Sequence, residues 1–256
     1  MALPDKKIVL ITGGNQGVGF ETAKNLIFSS PDYHVILGSR DITKGETAAK
    51  ELQVVEGAKG TVSSTQIDVT NDESVDAAAS RIASEYGRLD VLVNNAGIVS
   101  IAQPPTRAVM RRILDTNVVG SLSVTEAFLP LLRQTAHKPA RLVFVSSSTG
   151  SITHASNPAS PHYAPGGATE YRTSKAALNM LMALYAARLR RPEGSFYVFG
   201  ADPGLCATNF TGDPAALRDR GAAEAWQGGE RVASVVKGER DADVGRVVGV
   251  YGVSPW

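Results

Sequence analysis

The 256-residue sequence predicts an α/β fold, a doubly wound parallel sheet of about seven strands with helices on both faces. Three observations predict it. Strand-length apolar runs alternate with helical stretches along the chain. The runs are apolar nearly throughout instead of alternating, as strands are when both faces of a sheet are covered. The first run ends in a glycine-rich turn, Thr12-Gly13-Gly14-Asn15-Gln16-Gly17-Val18-Gly19, and a helical stretch follows it.

The elements follow in order. Residues 7–12 read as the first strand and 18–29 as its helix. A second strand at 34–38 precedes a helix over 43–54, and a third at 62–67 precedes a helix over 72–86. The fourth strand, 89–94, leads into two helices, 105–115 and 117–134. The fifth strand is 141–146. A helix over 171–190 offers Leu178, Leu181, Met182 and Leu184 as core candidates, or as part of a subunit interface. A sixth strand spans 195–201, and 246–251 is a candidate seventh. With no repeat and no long linker, 1–256 reads as a single dinucleotide-binding domain. Segments 151–169 and 212–229 lack clear periodicity. They read as loops at the mouth of a site, with 151–169 and 205–229 as the substrate-loop segments.

Composition narrows the function classes. The chain is 43% apolar with a net charge of +1, and its acids and bases are interspersed. No polybasic face points to nucleic acid. The single cysteine, Cys206, can form no internal disulfide and no cysteine-rich metal site, and no metal site is expected. No stretch approaches the roughly 20 apolar residues that cross a bilayer, and no apolar leader opens the chain. The expectation is a cytoplasmic protein with a small-molecule partner.

Chemistry concentrates in Tyr171-Arg172-Thr173-Ser174-Lys175. On a helix, positions i and i+4 share a face. A phenol and an ammonium on one face can act on one substrate, and the cation lowers the pKa of the phenol. The glycine turn lies where a strand meets a helix N-terminus. There, free N–H groups and a partial positive charge suit a pyrophosphate. The second strand ends Gly38-Ser39-Arg40, so the position expected to hold an acid for the ribose 2′-hydroxyl holds Ser39 instead. Arg40 favours a 2′-phosphate, hence NADP(H) over NAD(H). The competing reading leaves Arg40 at the surface and gives the ribose to Asp41.

With these residues in view, nearly the whole chain resembles the classical short-chain dehydrogenase/reductase family, and within it the NADPH-dependent carbonyl reductases. The resemblance implies a Rossmann-type fold. It implies cofactor contacts from Gly13, Asn15, Gln16, Gly17, Val18 and Gly19 in the turn, and from Ser39 and Arg40 after strand two. Further contacts are implied from Asp68 and Val69 at the adenine, from Asn94, Ala96 and Gly97 under the cofactor, and from Pro203, Gly204 and Thr208 over the nicotinamide. It implies a catalytic set of Asn117, Ser147, Tyr171 and Lys175, the last two also touching the cofactor. Spacing back from Gly150 favours Ser147 over Ser148. Homodimers and homotetramers through the two long central helices are implied, and monomers also occur among carbonyl-reductase-like members. One departure stands out. Between Ser147 and Tyr171 the chain exceeds the family by about ten residues, including His154, Pro158, Pro161, His162 and Pro165.

The implied reaction is reduction of a ketone or aldehyde. Hydride arriving at a carbonyl leaves an alkoxide that needs a hydrogen bond and a proton. Tyr171 is the expected acid. Lys175 is expected to lower its pKa and bind the nicotinamide ribose, Ser147 to hold the carbonyl oxygen, and Asn117 to hold a water leading to solvent. Two other readings keep the fold: a dinucleotide-binding regulator without turnover, and a lyase or isomerase. His154 and His162 read as exposed or locally bonded loop residues, Cys206 as packing, and Trp226 as either packing or a cover over substrate.

Overall fold

The computed structural model describes Leu3 and residues 5–190 and 195–256. Strand β1 (Lys7–Thr12) is followed by α1 (Gly17–Ser29), β2 (Tyr33–Ser39), α2 (Ile42–Val54), β3 (Thr61–Gln66), α3 (Asp72–Tyr86) and β4 (Val91–Asn94). Helix α4 (Arg107–Leu114) runs through a π-turn, Asp115–Val119, into α5 (Gly120–Leu132). Then come β5 (Ala140–Val145), α6 (Ile152–Ser156), α7 (Thr169–Arg188) and β6 (Phe196–Ala201). The last part holds β7 (Cys206–Ala207), α8 (Pro214–Asp219), β8 (Ala223–Glu224), α9 (Ala225–Lys237), β9 (Val247–Gly249) and β10 (Gly252–Ser254).

The main sheet has the order β10-β9-β6-β5-β4-β1-β2-β3. The pairs from β3 to β9 are parallel, and β10 closes one edge antiparallel to β9. The expected count of about seven therefore matches the parallel strands. The candidate strand at 246–251 splits into β9, a turn and β10. Strands β7 and β8 pair separately.

The uniformly apolar strands are explained by burial on both faces. Along β1, Ile8 and Leu10 enter one core with Leu92, Leu142, Phe128 and Met182. Val9 and Ile11 enter the other, with Val93, Val143, Phe199 and Val232. Successive side chains of a strand point to opposite faces, so both layers need apolar residues. In α7, Leu178, Met182 and Tyr185 are buried at helical spacing. Leu181 packs at the margin. Leu184 departs from its core expectation: it is 60% exposed, on the opposite side of the helix.

Two other expectations are corrected. The two helices at 105–115 and 117–134 are one continuous rod, because the chain widens at the π-turn instead of breaking. Such a bulge inserts a residue and re-aims its neighbours. Segment 212–229 is not a loop throughout, since it contains α8, β8 and the first turn of α9. The glycines that hide α9 in the sequence are required by packing. A Cβ on Gly229 would stand 2.5 Å from Glu21 Cβ and 2.7 Å from Thr22 N, so α9 lies directly against α1. Segment 151–169 likewise carries the short helix α6.

Candidate active site

Because β1, β4, β5 and β6 are parallel, their carboxyl ends open on one edge of the sheet. The strand order reverses between β1 and β4, which is where open α/β sheets form a crevice. The site is assembled from the four segments that leave these ends.

After β1, Gly13 adopts φ +63°, and a Cβ there would meet Ala96 Cα at 3.1 Å. The turn therefore crosses tightly over the tail of β4. Thr12 and Asn95 lock the two together. Thr12 Oγ1 accepts from the N–H groups of Asn95 and Ala96, both at 3.0 Å. Asn95 Nδ2 donates to Thr12 O at 2.8 Å. Asn95, between Asn94 and Ala96, is thus a structural residue that no local sequence pattern marks. Asn94 is buried and donates to Thr125 Oγ1 at 2.9 Å. Helix α1 begins with no side-chain cap from Gln16 and no acid in its first turn. Its N–H groups and its positive dipole end are thus free for an anion. Asn15, Gln16, Gly17 and Val18 line this turn with at least partial exposure, while Gly19 is buried. Thr208 Cγ2 lies 3.7 Å from where a Gly17 Cβ would be, so the segment after β6 folds over the turn.

Beyond the end of β2, a cleft of about 580 Å³ is lined by Arg40, Gln66, Asp68, Asn71, Ser74 and Arg81, among others. Ser39 is buried and donates to Asp41 O at 2.7 Å. The Asp41 carboxylate caps α2 by accepting from Thr43 N and Lys44 N. Arg40 is exposed and lies at the cleft. Asp68 accepts from Thr70 N and Thr70 Oγ1, and Val69 packs against Gly120.

The π-turn drives Asn117 inward to 1% exposure. Its Oδ1 accepts from Ile98 N at 2.8 Å, and its Nδ2 donates to Ile98 O at 3.0 Å and Ser174 Oγ at 2.9 Å. The amide thus ties Gly97-Ile98 to the helix that carries Tyr171 and Lys175. Lys175 is buried and donates to Val145 O at 2.7 Å. Its Nζ lies 5.5 Å from the centre of the Tyr171 ring. Burial pulls the Lys175 ammonium down to about 8, with Asp202 pulling the other way.

The Tyr171 phenol departs from expectation. It is held above its usual range, first by burial and second by the negative charge of Asp202, while a hydrogen bond with Ser147 pulls it down. Desolvation of the phenolate, with the Asp202 charge, outweighs the Ser147 hydrogen bond here. The serines divide. Ser147 reaches Tyr171 and lies 2.9 Å from Thr149 Oγ1. Ser148 is buried and bonded to Asp202 through both its N–H and its hydroxyl. Phe210 stands edge-on to the Tyr171 ring, with 5.9 Å between ring centres and planes at 70°.

Among the remaining candidates, Cys206 is buried, with its thiol directed at Pro203 O. The His154 and His162 rings lie 4.8 Å apart, tilted at 57° to each other, and His154 Nδ1 bonds Ser160 Oγ at 2.9 Å. Trp226 is exposed on the first turn of α9. Asp202, Phe210 and Arg231 escaped sequence reasoning. The only available signal was the acid placed immediately before Pro203-Gly204.

This crevice, glycine turn and tyrosine–lysine pair define a nicotinamide-dinucleotide oxidoreductase fold. The sequence pattern of the short chain dehydrogenase family matches residues 7–216. The chain belongs to that family. It is 40% identical to the short-chain dehydrogenase/reductase tropE of Talaromyces stipitatus over 267 aligned positions, covering 97% of each chain. Among solved structures, an NADPH-bound carbonyl reductase from chicken fatty liver superposes with a TM-score of 0.81 at 25% identity, covering 98% of this chain and 94% of that one. Salutaridine reductase from Papaver somniferum superposes at 0.72 with 26% identity, covering 90% and 95%. No helix among the described residues is long and apolar enough to cross a membrane.

Proposed function

We propose that the protein reduces a ketone or aldehyde to an alcohol with NADPH, using Tyr171 as general acid. The observation that carries this reading is the convergence of Ser147, Tyr171 and Lys175 at one point. There the half-buried Tyr171 phenol meets the Ser147 hydroxyl and lies beside a buried ammonium. The uncapped start of α1 and the tight Gly13–Ala96 crossing fit a pyrophosphate. The Arg40 cleft fits a 2′-phosphate, because Asp41 is already spent on capping α2. NADPH, when bound, supplies the hydride.

The residues of the chain do the rest. Ser147 holds the carbonyl oxygen against Tyr171. Tyr171 donates its proton as negative charge develops on that oxygen. Lys175, with one donor fixed on Val145 O, keeps two for the nicotinamide ribose. The Asn117 amide is committed to Ile98 and Ser174, and its main-chain carbonyl accepts from Ser121 Oγ at 2.9 Å, so one lone pair of that carbonyl remains for a water that passes protons from Lys175 outward. Exposed Phe210 stands against the tyrosine and favours a carbonyl with an apolar body. Segments 151–169 and 205–229 border the substrate on a single domain. A second copy would pack on the face formed by Leu122, Met180 and Leu184, all exposed on α5 and α7.

Replacing Tyr171 by Phe should lower turnover about 10²- to 10⁴-fold while leaving NADPH affinity within a few-fold. Initial rates of NADPH consumption over a panel of aliphatic, aromatic and quinone carbonyls, beside a fluorescence titration of NADPH, measure both. A Tyr171→Phe enzyme that keeps near-normal turnover removes the proposed acid. Alcohol or isomer formed without net NADPH consumption would favour the lyase or isomerase reading.

A further inference from the structure

Asp202 follows directly on β6 and is 6% exposed. Its Oδ2 accepts from Ser148 N–H at 2.7 Å and from the Ser148 hydroxyl at 2.5 Å, and its Oδ1 accepts from Gly204 N–H at 2.8 Å. These donors belong to different segments, one leaving β5 and the other leaving β6. The residue cannot shift easily. Its own N–H donates to Val248 O at 2.7 Å, and a Cβ on Gly249 would stand only 2.8 Å from the Asp202 Cβ. Lys175 on α7 stands with its Nζ 5.5 Å from the Tyr171 ring centre, Glu170 is buried on the same helix with one oxygen accepting from Thr106 N–H, and Asp202 acts on the phenol through its charge. Cys206 on β7 feels the charges of both Asp202 and Arg231 on α9, and the Arg231 guanidinium donates to Pro203 O.

We propose that Asp202 is a positioning residue for the reaction: it clamps the Ser147–Ser148 turn onto the Pro203–Gly204 turn, and its fixed negative charge sets the pH at which Tyr171 releases its proton. The first role follows from the three hydrogen bonds. Ser147, the neighbour of the clamped Ser148, is the hydroxyl that meets the phenol, so the carboxylate fixes its position at one remove. The second role follows from charge. The carboxylate is bonded to Ser148, the chain neighbour of Ser147, so it stands beside the partner of the phenol, and a negative group held there in a poorly solvated site disfavours phenolate. Asp202 pushes both Tyr171 and Lys175 upward, in agreement with this placement. The proposal rests on Tyr171 being the acid.

Asp202→Asn preserves the shape and removes the charge. The pH dependence of kcat/KM should be measured for NADPH-dependent reduction of the carbonyl turned over fastest in the panel, and for oxidation of its alcohol. Reduction needs the phenol, so its alkaline limb should move to lower pH by on the order of one unit. Oxidation needs the phenolate, so its acid limb should move down equally. An ultraviolet difference titration of the cofactor-free protein, referenced to Tyr171→Phe, reads the same phenol without turnover, and Asp202→Asn should bring it to lower pH. Ser148→Ala leaves the carboxylate charged with one donor fewer. Its reduction limb should move up, and it carries the test if Asp202→Asn does not fold. Reduced turnover with unmoved midpoints in both variants, while Tyr171→Phe is inactive, overturns the electrostatic role. An active Tyr171→Phe overturns the acid assignment and the proposal with it.

Discussion

Cofactor choice in the proposed reaction turns on Arg40. Its two neighbours are unavailable, because Ser39 is buried with its hydroxyl given to Asp41 O, and the Asp41 carboxylate caps α2. Removing the guanidinium should weaken NADPH binding by about 10- to 100-fold, as loss of a charged hydrogen bond does, and leave NADH nearly unchanged. Calorimetric titration of Arg40→Ala with both dinucleotides decides the point, and equal losses would exclude a 2′-phosphate contact. At this scale the sequence is informative where chemistry is local. Tyr171 and Lys175 can be read because a single helical turn joins them. Ser147 is separable from Ser148 by its spacing to Gly150, and the structure gives Ser148 a different partner. Asp202 could not be read, because Ser148 meets it only when β5 and β6 lie side by side, and its local turn with Gly204 gives no hint of that partner.

Among the elements, α9 is the one the sequence conceals. Gly228-Gly229 reads as a breaker, yet it opens a helix whose buried Val232, Val235 and Val236 keep helical spacing. The signal was present in those valines, and the close approach to α1 is a tertiary fact no local pattern reports. Gly229→Ala tests it. Helix propensity alone would favour alanine by up to about 1 kcal/mol. The clash with Glu21 and Thr22 should reverse the sign and destabilise the fold by about 1–3 kcal/mol. Urea unfolding followed by circular dichroism measures this, and a variant as stable as the parent would show that the two helices are less closely packed. The π-turn is equally hidden. Thr116-Asn117-Val118-Val119 suggests a boundary, whereas the chain only widens there to turn Asn117 inward.

At the scale of the whole molecule, the parallel sheet was legible because its requirement for apolar residues on both faces is written along every central strand. The edges were less so. β10 is too short for a period, and β3, Thr-Val-Ser-Ser-Thr-Gln, is polar for a reason visible only in three dimensions. The exposed Leu122, Met180 and Leu184 make self-association an expectation, which light scattering at micromolar concentration would test. Leu184→Glu should then give a monomer, whereas a parent already monomeric would remove this face as an interface. Acid stability depends on His34, buried between β3 and Tyr86, with Thr61 Oγ1 at 2.8 Å, Ser63 Oγ at 3.1 Å and the Tyr86 hydroxyl at 3.0 Å. Burial, aided by Lys6, lowers its pKa to about 4. The unfolded chain takes up a proton near pH 6.5 and the folded chain only near 4, so stability falls as pH drops through that window. The loss at pH 5 should be about 2 kcal/mol. Urea midpoints from pH 7.5 to 5 measure it, and an equal fall in His34→Gln would place the cause elsewhere.

The hydroxyls that hold His34 also line the outermost parallel strand. An edge strand presents unpaired N–H and C=O groups to any other chain, and β3 meets that hazard with short polar side chains in place of a barrier such as proline or lysine. Protonation of His34 forces a charge among those same hydroxyls. Acid near pH 4, where the folded chain takes up that proton, therefore loosens the flank of the sheet most open to foreign strands, and aggregation at that pH should begin at β3.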